Sequence, residues 1–226
     1  MSYDIDIFHD RESKVATAAE DDAAILRQEG FIVEWTRRSP AIYTARVTAD
    51  DQFTLIDWAH DSDVRFFPVI QDDRLGHVLH PFDLATNKAL AAAARREPRD
   101  ALDLVMIHER RYHLGVVAWA AVGKDEGYSP LSLLNMIGRF ARYGAADMDR
   151  VLLPSAISAQ DLSRRLKKAL DAAESLAATL PPQTAGAVLM KDGRIASPPF
   201  SDLSLYEQRR PVSGGGIWPI GAFDSD

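Results

Sequence analysis

Tyr3-Asp4-Ile5-Asp6-Ile7-Phe8 sets two carboxylates one residue apart in an otherwise apolar, strand-like run. Alternate residues of a strand share a face, so Asp4 and Asp6 project together and are placed to share a divalent cation. A second run of the same kind, Phe53-Thr54-Leu55-Ile56-Asp57-Trp58-Ala59, carries a lone carboxylate among residues that read as sheet core. Burying that charge is costly unless something positive meets it. Three acids converging from two neighbouring strands suit a two-magnesium phosphoryl-transfer centre, in which one ion polarises the attacking hydroxyl and the other steadies the triphosphate leaving group. Two plainer readings stand beside it: Asp4 and Asp6 as solvated strand residues, and Asp57 neutralised by an arginine such as Arg65.

Outward from these strands the pattern is mixed α/β. Val15, Ala18, Ala19, Ala23, Ile25 and Leu26 recur at helical spacing over 11–29, and Gly30 stops the helix. Strands are expected over 31–36, 42–48, 53–59 and 64–69, with Asp50-Asp51 as a hairpin turn. Pro98 divides an alanine-rich helix over 82–96 from a second over 99–109. Ser129-Pro130 caps a helix with Leu131, Leu134, Ile137 and Phe140 inward, and Ser158 with Asp161 opens a long helix to Leu180. Asp192-Gly193 reads as a hairpin turn. The expected organisation is an α/β domain over 1–110, a helical domain over 111–197, and a loosely ordered tail over 198–226 docked by Trp218.

Composition narrows the function classes. The 226 residues suffice for one large or two small domains. The absence of cysteine excludes a disulfide framework or thiolate metal site and agrees with a reducing cytoplasm. No apolar run reaches the roughly 18 residues of a membrane span, so a cytoplasmic protein is expected. A net charge of −7 argues against a broadly nucleic-acid-coating surface but leaves room for RNA on a local basic patch, at Arg37-Arg38, Arg95-Arg96, Arg110-Arg111 or Arg164 to Lys168. None of the six histidines has a partner at zinc-ligand spacing; His9 and His60 lie best for reaching the acids.

A second constellation follows in the helices. Lys88 is one of few charges in an alanine- and leucine-rich helix and suits a phosphate as a point charge; Arg99 suits one as a planar fork. Asp100 and Asp103 lie one turn apart and are placed to orient Lys88 or Arg99, or to bind a substrate hydroxyl. The plainer alternative pairs Arg99 with Asp103 as an ordinary i,i+4 ion pair.

Taken in order, Ser2-Tyr3-Asp4-Ile5-Asp6-Ile7-Phe8-His9-Asp10, Asp57-Trp58 with Asp61-Ser62 and Arg65-Phe66-Phe67-Pro68, His80-Pro81-Phe82-Asp83-Leu84-Ala85-Thr86-Asn87-Lys88, and Arg99-Asp100 with Asp103-Leu104 resemble the bacterial nucleotidyltransferases of the abortive-infection toxin type, the AbiEii/AbiGii group. The resemblance implies a polymerase-beta-like nucleotidyltransferase fold with a C-terminal helical domain. It implies two magnesium ions, a nucleoside triphosphate as substrate, an acceptor that in related toxins is RNA and notably tRNA, and a cognate antitoxin as partner. By the same resemblance Asp4, Asp6 and Asp57 are metal ligands, and Lys88 contacts phosphate with Arg99, Asp100 and Asp103 in support. Members of the group carry a Gly-Ser signature ahead of the acidic pair, and this sequence has none there. Without its backbone donors the triphosphate loses partners, which makes a catalytically impaired binding module the alternative expectation.

Overall fold

The computed structural model describes residues 4–9, 11–148 and 157–213. They form a mixed α/β protein in two compact units, divided between Asp63 and Val64. Of the expected tail, residues 198–213 are described and hold a short 3-10 turn, Leu203–Leu205, and a paired strand, Glu207–Arg209, where loose order was expected; 214–226, with Trp218, fall outside the described residues.

In the first unit β1 (Asp4–His9) leads into α1 (Glu12–Gln28), followed by β2 (Ile32–Ser39), β3 (Ile42–Ala49) and β4 (Gln52–His60). The strands lie in the order β1-β4-β3-β2, with β1 parallel to β4 and the other neighbours antiparallel. Asp50, at φ 50, and Asp51 make the two-residue turn between β3 and β4. An extra residue between Trp35 and Arg37 bulges β2 and shifts its register. Val15 and Ala19 of α1 pack with Ala45, Val47, Ile56, Trp58 and Ile7, so the helix covers one face of the sheet. The indole Nε1 of fully buried Trp58 donates to Asp22 Oδ2 of α1 at 2.7 Å, which ties helix to sheet while satisfying the buried donor.

The second unit begins with a small hairpin, β5 (Ile70–Asp72) and β6 (Gly76–Val78), and continues as α2 (Pro81–Ala94), α3 (Pro98–Arg110), α4 (Leu114–Ala121), α5 (Pro130–Phe140), α6 (Ala145–Met148) and α7 (Ala159–Ala177). A three-stranded sheet, β7 (Val188–Lys191), β8 (Arg194–Ile195) and β9 (Glu207–Arg209), closes it. Helix α4 is buried along its whole length, and Leu162, Leu166, Ala169, Ala173 and Leu176 of α7 turn into the same core. Helices α2 and α3 share that core through Phe82, Ala85, Ala89, Leu104 and Val105. Asp192 and Gly193, at φ 50 and φ 71, form the expected turn between β7 and β8.

Two local expectations are corrected. Residues 64–69 are not a ladder strand; only Arg65 makes an isolated bridge, to Val212. The amides of Phe66 and Phe67 instead donate to the two carboxylate oxygens of Asp83, at 2.9 and 3.0 Å, and Pro68 has no amide to offer. In α5 the buried stripe is Leu133, Leu134 and Ile137, while Leu131 is exposed, because the Ser129–Ser132 capping box sets the helix phase.

Candidate functional site

In the first unit the parallel pairing of β1 with β4 sets Asp6 directly beside Asp57, with Asp4 two residues earlier beside Leu55. Neighbouring strands lie about 4.8 Å apart and alternate residues about 7 Å apart. Ile7, Ile56 and Trp58 take the face packed by α1, so Asp4, Asp6 and Asp57 occupy the opposite one. On that face the row through Asp57 reads Asp6, Asp57, Thr44, Arg37, and the next reads Asp4, Leu55, Arg46, Glu34.

Asp57 is half-buried, and its Oδ1 atom is buried with no hydrogen-bond partner. A buried carboxylate oxygen without a donor is costly, and a cation is the partner that removes the cost. The backbone register and this orphan oxygen fit a divalent ion; among the described residues no three His, Asp or Glu side chains are drawn together into a group that would hold one as they stand. His9 and His60 are register partners of each other, one position out of phase with Asp6 and Asp57, so alternation sends them to the other face.

In the second unit, Lys88 Nζ of α2 lies 2.9 Å from Asp103 Oδ2 and 3.7 Å from Asp100 Oδ1 of α3. Asp100 is buried, and Arg95 meets it with a planar fork, Nε to Oδ2 at 2.7 Å and Nη2 to Oδ1 at 3.1 Å. The two aspartates therefore hold Lys88 between them, and its charge is already matched. Arg99 stands on the same helix, half-buried. Next to this cluster Arg96 binds Asp147 and lies 5.4 Å from the centre of the Tyr143 ring. Burial and the nearby Asp100 carboxylate push the Tyr143 phenol up to about 12.

One turn round α2, Asp83 and Asn87 grip Lys124, a residue to which no sequence pattern pointed. Lys124 Nζ is 2.7 Å from Asp83 Oδ1 and 2.8 Å from Asn87 Oδ1, and both charged side chains are almost wholly buried. Asp83 thus serves the fold, neutralising a lysine and receiving two amides.

Three histidines act as helix caps. His80 Nδ1 accepts from the Phe82 amide at the start of α2, and its ring stacks on Phe67 at 4.2 Å. His113 Nδ1 accepts from Gly115 and His108 Nδ1 from Leu114, both at the start of α4. Burial holds all three below the ordinary histidine range; neighbouring Asp83 and Glu109 pull His80 and His108 partly back.

Most arginine clusters singled out above are matched by acids: Arg38 with Glu20, Arg95 with Asp100, Arg96 with Asp147, Arg164 with Asp161, Arg165 with Glu109. Among the described residues no helix is long and apolar enough to cross a membrane. Comparison with known proteins gives no match to a protein family, to a curated protein or to a solved structure.

Proposed function

We propose that this protein is a magnesium-dependent nucleotidyltransferase that moves a nucleotide from a nucleoside triphosphate to an acceptor hydroxyl, with RNA as the acceptor. The observation that carries the reading is Asp57: a carboxylate with one buried oxygen lacking a donor, in register with Asp6 and on the face that also holds Asp4. The residues that would hold the metal are Asp4, Asp6 and Asp57. Bound there, magnesium would supply charge stabilisation for the attacking oxygen and the departing pyrophosphate. In the reaction the acceptor oxygen bonds to the α-phosphorus as the bridge to the β-phosphate breaks, pyrophosphate leaves with the bridging electron pair, and the hydroxyl proton passes to water. Helix α1 supports the site by packing Trp58 and Ile56 on either side of Asp57 in sequence, which fixes the strand.

In the second unit, taken by itself, Lys88 and Arg99 are proposed as a phosphate contact, with Asp100 and Asp103 setting the Lys88 ammonium in place, and the transfer step above does not draw on them. The matched charge of Lys88 favours a second reading, a nucleotide-binding module without transfer. One assay separates the two. Purified protein is incubated with RNA, magnesium and a labelled triphosphate; label appears in RNA for the wild type and is lost for Asp57→Ala. Full transfer by Asp57→Ala refutes the assignment, and triphosphate binding without transfer selects the module.

A further inference from the structure

The same sheet face carries a feature that the acidic set does not use. Phe53, Leu55 and Asp57 alternate along β4, so they share a face, and Phe53 is 46% exposed there. The Arg46 guanidinium lies over the Phe53 ring, 3.9 Å from its centre. Across Thr48 from Phe53 stands Ile32, 62% exposed. The exposed guanidinium covers one face of the ring, and the stacked pair presents a flat plane with one positive charge beside the aliphatic side chain. The cations on this face of the strands are Arg37 and Arg46, against Glu34 and the three aspartates, so phosphate contact falls to the two arginines and the charge of the aspartates to a bound cation.

We infer that Phe53, Arg46 and Ile32 form a stacking platform for a single-stranded nucleic acid whose 3′ end lies at the aspartates. Bases stack on aromatic rings whatever their identity, and guanidinium groups meet the phosphates between them. Four residues separate Phe53 from Asp57, about 13 Å of strand, and stacked nucleotides advance about 3.4 Å each. The platform therefore engages the acceptor roughly four nucleotides upstream of the reacting end. The direction of the strand rests on the transferase reading; the platform itself does not. Phe53 and Arg46 are positioning residues, since neither reaches the reacting phosphate.

The test measures binding separately from transfer. Fluorescein-labelled RNA and DNA octamers of one sequence are titrated in magnesium and followed by anisotropy, with wild type, Phe53→Ala and Arg46→Ala, each checked for folding by circular dichroism. Both octamers are expected to bind, because stacking and phosphate contacts do not read the 2′-hydroxyl. Phe53→Ala weakens binding roughly tenfold. Arg46→Ala lowers the slope of log affinity against log salt by about 0.7. In the transfer assay Phe53→Ala raises the KM for the octamer with kcat unchanged and leaves a dinucleotide acceptor unaffected. Equal octamer affinity in all three proteins, or no octamer binding by the wild type, overturns the platform. Phe53-dependent binding with no transfer by the wild type keeps the platform and removes the transferase reading.

Discussion

Asp83 shows how much one side chain can organise. Its carboxylate receives Phe66 N–H, Phe67 N–H and Lys124 Nζ, all within 3.0 Å, at a site from which water is excluded. Removing one partner of a buried pair leaves the other uncompensated, at a cost of about 3–5 kcal/mol. Asp83→Ala is expected to lose that much stability in urea unfolding and to exceed Lys124→Met, because the alanine strands three donors whereas the methionine leaves the carboxylate with two amides. Asp57 is the opposite case, an acid whose buried oxygen has no donor. A ligand that binds only the folded state raises its melting temperature. Magnesium is therefore expected to raise the Tm of the wild type but not of Asp57→Ala, as read by differential scanning calorimetry. The adjacency of Asp6 and Asp57 was foreseeable, since both interrupt apolar strands of one period. The Asp83–Lys124 pair was not, because forty residues of helix and loop separate partners whose meeting is a tertiary fact.

At the scale of elements, small residues and caps decide how the helices meet. A Cβ on Gly115 of α4 would come within 2.9 Å of Leu176 Cδ2 and 3.1 Å of the Ala173 backbone on α7. Gly115→Ala is expected to cost about 1–3 kcal/mol by overpacking. Gly138→Ala on α5 meets only Leu170 at 3.6 Å and should be neutral or slightly stabilising, since alanine favours the helix. The histidine caps add a pH dependence. His80, His108 and His113 accept through Nδ1 and are held below their usual range by burial, so the folded state prefers them neutral. Their stabilisation is complete above the unfolded value near 6.5 and is lost as the pH falls through the lower folded values. The urea midpoint should fall between pH 7.5 and 5.5, and less so in His113→Ser, whose hydroxyl caps without a titrating ring. Local spacing found α1, α7 and the Asp50-Asp51 and Asp192-Gly193 turns, because each rests on neighbouring residues alone. It missed α4, whose apolar run Leu114–Ala121 has no polar face to mark its phase, and it drew a strand over 64–69 because Phe66 and Phe67 look like sheet residues until Asp83 takes their amides.

Among the described residues, two cores share no side chain: six buried residues led by Trp58 and Val15 in the first, and a larger set led by Phe82, Leu114 and Leu133 in the second. A unit of about 60 residues buries a smaller share of its surface than one of 150 and is correspondingly marginal. Native-state hydrogen exchange should show Ala45 and Ile56 opening at lower free energy than Val117 and Leu133; equal values would contradict independent cores. Within the sheet, β2, β3 and β4 are joined by two-residue turns, whereas β1 reaches β4 only by closing a loop of some fifty residues. The meander is expected to assemble by itself and the first strand, at the sheet's edge, to dock last. Two of the three aspartates ride on that late arrival, so peeling back a single six-residue segment would scatter the acidic set and leave every hairpin behind it intact.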